Sequence, residues 1–258
     1  QAPGIAVDVA AKVAGVDAQD VVIEVLLLGG GFGRRLEVDM IAQAVAIALQ
    51  CDGAPVQLVW TREQDTQHDM YRPAALARFS ARLDAQGGIA SWDNKSVSGT
   101  ITHQFLQRNF GLPGAGPDKT TAEGEFDMPY EIANQRIAHV IADSAVPIGY
   151  WRSVGHSHNA FFKESFIDEL AHAAGRDGVA FRRGMLARHP RHLAVLDAAV
   201  ARAGSAPPGH AHGVALHQSF GSIVAQVAQV AVENGEIRVR RVVCAIDCGI
   251  AVNPNIIA

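Results

Sequence analysis

The chain has 258 residues, 48% hydrophobic and 19% charged, with a net charge of −4, enough apolar side chain for one large domain or two modest ones. Without a basic excess the composition argues against nucleic acid or a polyanionic surface as partner, and no apolar run approaches the roughly 20 residues of a helical bilayer span. Three cysteines, Cys51, Cys244 and Cys248, do not make a disulfide framework.

In chain order, residues 4–15 carry apolar side chains at helical spacing and stop at Gly15. Residues 21–28 form a continuous β-branched and leucine run that predicts a buried strand. Gly29-Gly30-Gly31-Phe32-Gly33 breaks it, helical periodicity resumes over 37–51, and 55–61 predicts a second buried strand, together a βαβ-like unit. The pattern then alternates over 74–98 and folds back at Gln86-Gly87-Gly88, a hairpin signal. Residues 103–127, rich in Gly, Pro and polar side chains, predict a long irregular excursion. A strand is expected over 136–142, a helix over 159–174 closed by Gly175, and two helices over 178–203 split near Pro190. Pro207-Pro208-Gly209 punctuates the chain as a domain boundary would, and strands follow at 211–219, 223–233 and 236–247 with a turn at Asn234-Gly235. The expected fold class is α+β, with mixed sheets and interspersed helices. The start at Gln1 and the stop just after a strand pattern lead us to expect an internal fragment, with one domain over 1–205 and the beginning of another over 206–258.

Four glycines around Phe32, after a strand and before a helix, suggest backbone amides approaching a ligand closely. Neither G-x-G-x-x-G nor a phosphate-binding P-loop is satisfied, because the last glycine of the first and the Gly-Lys-Ser/Thr of the second are missing. A plain reversing turn and a nicotinamide-type loop remain alternatives. His156 and His158, His210, His212 and His217, and the Glu169-x-x-His172 spacing invite a metal reading, although such histidines are more often hydrogen-bonded or exposed. No G-x-S-x-G elbow is present. Arg152, between Trp151 and a run of small polar residues ending at His158, needs an anion or several acceptors if buried, and favours an anion or polar-cofactor site over a surface Arg lying on a Trp.

These motifs match one family in order and spacing. Gly29 to Arg35 resembles the GGGFGG(K) segment of the molybdenum hydroxylases, the xanthine dehydrogenase and aldehyde oxidoreductase group, and Gln1 falls at the Gln of the family's preceding S/T-Q motif. The stretch from Pro147 to His158 resembles the family's R-x-F-G-x-x-Q loop, with Glu164 at the glutamate of the helix that follows. The stretch from Asp247 to Pro254 resembles D-x-G-x-x-x-N-P. The run from Trp151 to Ala171, Trp60-Thr61-Arg62-Glu63 leading to Asp69-Met70-Tyr71-Arg72-Pro73, and the segment from His217 to Ala228 are similar to the isoquinoline 1-oxidoreductase beta-subunit and membrane-bound aldehyde dehydrogenase branch.

The resemblance implies a molybdopterin-binding large subunit that oxidises an aldehyde or N-heteroaromatic carbon with oxygen from water. The implied cofactor is molybdopterin cytosine dinucleotide, its molybdenum held by the pterin dithiolene and by no protein side chain. Electrons would leave through [2Fe–2S] clusters on a small partner subunit, with a cytochrome c subunit as a further candidate partner. By the same resemblance Gln1 belongs to the molybdenum ligand shell, and Gly31, Phe32 and Gly33 to its pterin face. Arg152 would contact the pterin or a metal-bound ligand, Gly155 would let the loop approach, and Gly221 and Ser222 would form a third contact. Leu36 stands where purine-oxidising members carry a substrate-binding Glu, and Val154 where they carry a stacking Phe, so the expected substrate is not a purine. Arg34 and Arg35 replace the usual Gly-Lys, and His158 replaces a Gln. The family's catalytic Glu, in G-x-G-E, and its M-G-Q-G segment have no match here, which leaves a non-catalytic cofactor-binding or scaffold piece as the alternative. A periplasmic or membrane-associated location is implied by the resemblance only.

Overall fold

Pro3 in the first turn and Gly15 in the left-handed conformation (φ 71°) bracket the first helix, α1 (Pro3–Ala14), as proline and glycine do at the two ends of a helix. Its buried Ala6, Ala10 and Ala11 make the small-residue stripe that lets α2 (Asp39–Ala48) pack against it. The structure, a computed structural model, describes residues 1–257. It divides into two compact units, the first made of Gln1–Ala75, Ser98–Thr121 and Ile141–Val154, the second of Leu76–Val97, Ala122–Val140 and Gly155–Ala258.

In the first unit α3 (Arg62–His68) opens with a complete capping box, Thr61 and Gln64 each satisfying the other's backbone amide. Next comes α4 (Ile101–Phe110), capped by Thr100 through the His103 N–H and closed by Gly111 at φ 67°. The single turn α5 (Lys119–Ala122) ends the segment. Helix α4 corrects the expectation of an irregular excursion over 103–127. Its buried apolar positions are Ile101 and Phe105, one turn apart, too few to show as periodicity, but its cap residues were readable.

The expected strands over 21–28 and 55–61 are also corrected. No ladder forms on these residues among the described residues, and Val25, Leu26, Leu27 and Val59 are 67–105% exposed. β-branched sequence sets the backbone conformation, but burial needs a neighbouring strand and a covering layer. No ladder joins 21–28 to 55–61 among the described residues; an isolated parallel bridge pairs Tyr71 with Ile148 instead.

The second unit holds both sheets. β1 (Ala75–Leu83) and β2 (Ile89–Ser98) form the expected hairpin, with β3 (Gln135–Ile141) beside β2. Asp84 Oδ1 accepts the Gln86 and Gly88 N–H groups at 2.8 Å each and fixes the turn. Helices α6 (His156–Ala173), α7 (Gly178–Gly184) and α8 (Pro190–Ala203) follow, then the antiparallel meander β4 (His210–Ser219), β5 (Ser222–Glu233) and β6 (Glu236–Asp247) and the turn α9 (Pro254–Ile257). Two-residue turns join the strands at Phe220-Gly221 (φ 49° and 83°) and Asn234-Gly235 (φ 52° and 79°), both left-handed at both positions as tight hairpins require. Alternation puts Ile223, Ala225 and Val227 of β5 on the core side, with Trp92, Ile167, Leu186 and Leu196. The boundary expected at 205/206 falls inside this unit, between α8 and β4.

Candidate cofactor-binding site

In the first unit the glycine loop doubles back through positive φ at Gly30 (144°), Phe32 (53°) and Gly33 (86°). A side chain on Gly31 would run into Gln1, and one on Gly33 into the Tyr150 carbonyl. Glycine is therefore required at position 33 for backbone approach and not merely for reversal, whereas at position 31 the Gln1 side chain would have to move. The Gly33 N–H donates to Gln1 Oε1 at 2.8 Å. Phe32, a bulky residue in the left-handed region, costs on the order of 1–3 kcal/mol. The residue is 55% exposed, and the Arg152 guanidinium stands 5.3 Å from its ring centroid.

The loop bearing Arg152 is a turn closed by Val154 N–H donating to the Trp151 carbonyl at 2.7 Å. Ser153 (φ 67°) and Val154 (φ 47°) are both left-handed. Arg72 donates to the carbonyls of Val154 at 2.9 Å and Arg152 at 2.8 Å. Burial works against the Arg72 charge and pushes its pKa down. Just before the turn, Tyr71 and the 147–149 stretch exchange backbone hydrogen bonds, Tyr71 N–H to Pro147 O at 2.8 Å and Gly149 N–H to Tyr71 O at 3.1 Å. Tyr150 packs edge-on against Phe105 of α4, with centroids 5.2 Å apart.

The loop's exit is anchored by charge. Arg34 meets Asp39 through two parallel hydrogen bonds of 2.9 and 3.0 Å and Asp69 at 2.5 Å. Burial alone would lower the Arg34 pKa, but the Asp39 hydrogen bond and the charges of Asp39, Asp69 and Asp65 raise it. Glu37, 3% exposed, accepts from Arg108 and Asn109 of α4. Asp118 gathers Thr100, Thr102 and Thr120. Burial would raise its pKa, and those hydrogen bonds instead hold it below the ordinary carboxylate value.

Of the sequence-predicted site residues, Gln1, Gly31, Phe32, Gly33 and Arg152 meet in this unit, which also holds half-buried Leu36 and Val154. Arg152 is exposed, so the buried Arg considered from sequence is corrected to a presented one, its guanidinium over the Phe32 ring. Gly155, Gly221 and Ser222 belong to the second unit. Gly155 has an ordinary φ of −66° at the start of α6. A side chain at Gly221 would meet nothing within 4 Å, and its role in the structure is the β4–β5 turn. Arg72 and Glu37 were missed as partners because each acts through residues distant in sequence, as does Arg34 toward Asp69.

The second unit's polar centre is structural. Glu164 of α6 accepts from Tyr130 Oη at 3.0 Å, Arg182 Nε at 3.0 Å and the Leu216 N–H at 2.9 Å. Beside it Lys163 Nζ lies 3.0 Å from His217 Nδ1, and His217 Nε2 lies 3.0 Å from His156 Nδ1. Lysine must donate, so His217 carries its proton on Nε2 and donates to His156. Among the described residues no group of three His, Cys, Asp or Glu side chains is arranged to hold a metal ion.

The family model described as the molybdopterin cofactor-binding domain matches residues 1–186. The chain belongs to this family, that of the molybdenum hydroxylases. It is similar to the isoquinoline 1-oxidoreductase subunit beta of Brevundimonas diminuta, 27% identical over 266 residues, covering 100% of this chain and 34% of that protein. It is 30% identical over 189 residues to the membrane-bound aldehyde dehydrogenase [pyrroloquinoline-quinone] of Gluconacetobacter polyoxogenes, covering 70% of this chain and 24% of that one. Its fold is like that of quinoline 2-oxidoreductase from Pseudomonas putida 86, with a TM-score of 0.59 at 16% identity over 85% of this chain and 30% of the other. It is also like the aldehyde oxidoreductase of Desulfovibrio gigas, with a TM-score of 0.55 at 20% identity over 87% of this chain and 27% of the other. The chain spans about a third or less of the length of these relatives.

The first unit's residues fit a molybdopterin. Gln1, the backbone of 30–33 and the Arg152 cation offer neutral and charged donors beside an exposed aromatic ring, which suits a polar, anionic pterin. A nicotinamide-type site fits less well. The glycine loop runs into a 3₁₀ turn, Arg34–Leu36, and α2 opens with Asp39, an acidic residue where a phosphate would sit on a helix N-terminus.

Proposed function

We propose that this chain holds one face of a molybdopterin, in the cytosine dinucleotide form, within the large subunit of a molybdenum hydroxylase that oxidises an aldehyde or an N-heteroaromatic carbon. The observation that carries the reading is the meeting of Gln1, the 30–33 backbone, Phe32 and Arg152 in one unit. When bound, the molybdenum centre supplies two-electron oxidation with water-derived oxygen, and the electrons pass to [2Fe–2S] clusters on a small partner subunit. Within this chain Gln1, the backbone at Gly31 and Gly33, and Arg152 would hold the cofactor, Gln1 through its amide and Arg152 by offsetting negative charge. The glutamate of the family's G-x-G-E motif has no match in this sequence, so the general base is assigned to none of these residues.

Leu36 and Val154 support a substrate of modest polarity. A polar purine edge left unpaired against Leu36 costs about 1–3 kcal/mol, and the missing ring at position 154 forfeits about 0.5–1.5 kcal/mol of stacking. Together these lower transition-state binding of a purine by roughly one to three powers of ten. Because the aldehyde dehydrogenase relative is named for pyrroloquinoline quinone, metal analysis is the first test. The assembled enzyme is expected to contain about one molybdenum per large subunit and visible absorbance that bleaches on reduction. A substrate panel with an artificial electron acceptor should then favour aldehydes or isoquinoline-like rings. Absence of molybdenum overturns the cofactor reading, and equal specificity constants for xanthine and aldehydes overturn the substrate reading.

A further inference from the structure

Arg72 forks between two backbone carbonyls that straddle the turn carrying Arg152, through Nη1 to Val154 O at 2.9 Å and Nη2 to Arg152 O at 2.8 Å. Between those carbonyls lie Ser153 and Val154, the one pair of consecutive non-glycine residues with positive φ among the described residues. A β-branched residue in that region is an outlier, and it persists only where its surroundings determine it. The turn's internal hydrogen bond uses Val154 N–H and Trp151 O and leaves both straddling carbonyls to other donors. Ser153 Oγ supplies one to Arg152 O at 2.5 Å, and Arg72 is the group that reaches both. Two carbonyl dipoles aimed at one place repel each other without a cation between them, and a planar fork of two donors matches them where a point-charge ammonium does not. Arg72 is itself held: Tyr71 before it is bonded to the backbone at 147 and 149, and Pro73 after it is buried.

We propose that Arg72 is a positioning residue: by bridging the Arg152 and Val154 carbonyls it holds the turn left-handed, sets the Arg152 guanidinium over Phe32, and so governs cofactor retention from outside the pterin contact. The last step rests on the molybdopterin reading. The clamp itself does not.

The test uses Arg72→Ala, Arg72→Lys and the double variant Arg72→Ala/Val154→Gly in the assembled enzyme, with amide exchange over residues 151–155 and molybdenum per large subunit as readouts. In Arg72→Ala the Val154 amide should exchange at least about tenfold faster while α1 and α4 keep their protection, and molybdenum content should fall severalfold. Arg72→Lys should behave in the same way, because charge without the fork does not bridge both carbonyls. Val154→Gly in the Arg72→Ala background should restore slow exchange and molybdenum, since glycine adopts the left-handed region without strain. Unchanged exchange at 151–155 in Arg72→Ala overturns the clamp, as does Arg72→Lys matching wild type in both readouts. If Arg72→Ala does not fold, the lysine and double variants decide the matter. Faster loop exchange in an enzyme whose wild type carries no molybdenum supports the clamp and overturns the cofactor reading instead.

Discussion

At the residue scale the site depends on the left-handed backbone at Gly33 and on one exposed cation. Gly33 combines φ 86° with a Cβ position already filled by the Tyr150 carbonyl. Gly33→Ala is therefore expected to destabilise the first unit by roughly 1–3 kcal/mol and to lower molybdenum content, read by thermal unfolding and metal analysis. Alanine there with wild-type stability would show that the loop does not press on the 150–151 backbone. Arg152→Ala should act differently. The side chain is exposed and stacked on Phe32, so folding should change by less than about 1 kcal/mol while molybdenum retention falls at least severalfold. Normal metal content and turnover in that variant would remove Arg152 from the cofactor's surroundings.

At the element scale, Glu164 joins α6, α7 and β4. It receives Arg182, which is 0% exposed, together with Tyr130 and the Leu216 amide. Arg182 also meets Asp168 at 2.6 Å. Burial would lower its pKa, but the Glu164 charge and the other partners push it upward. A guanidinium buried this deeply depends on its buried carboxylate, because removing Glu164 leaves only half-exposed Asp168 to offset the charge and three donors unpaired. Glu164→Ala should cost about 3–5 kcal/mol, measured by denaturant unfolding, and a loss below 1 kcal/mol would show that water replaces the carboxylate there. Sequence reasoning placed a glutamate at this helix position by family likeness. Which groups it binds depends on three elements meeting, and no spacing rule within one helix reports that.

At the scale of the molecule, stability should depend on pH through the second unit's buried basic cluster. Burial first, then Lys163 and His156, pushes the His217 pKa down to about 3. Burial likewise lowers His156, against the pull of Asp127, and lowers fully buried Lys163, against the pull of Glu164 and Asp127. An unfolded His titrates near 6.5, so between that value and about 3 the unfolded chain binds more protons than the folded one. Stability from His217 is therefore fully present above about pH 6.5 and falls as the pH drops toward the folded value. Melting temperature should decline from pH 7 to pH 4, and His217→Gln should flatten that decline. Equal slopes in the two proteins would show that His217 is already solvated in the fold.

The sequence by itself determined what local chemistry controls. It placed α1, α6, α7 and α8, the β1–β2 hairpin, the β4–β5–β6 meander and the Asn234-Gly235 turn, because periodicity, caps and glycine positions are written in neighbouring residues. It also singled out Gly31, Phe32, Gly33 and Arg152, since a glycine-rich loop and a cation in an aromatic setting are legible as strings. Only the tertiary structure decided the rest. Whether residues 21–28 form a buried strand depended on a neighbour to pair with, and α4 was hidden because just two of its apolar side chains are buried. Arg72 reaches across 80 residues to the Arg152 carbonyl, and Arg34 and Glu37 likewise bind partners that folding supplies. Hydrogen bonds and ion pairs act over about 3 Å of space whatever the separation along the chain, so the groups that hold the site in shape became visible only once the backbone had brought them together.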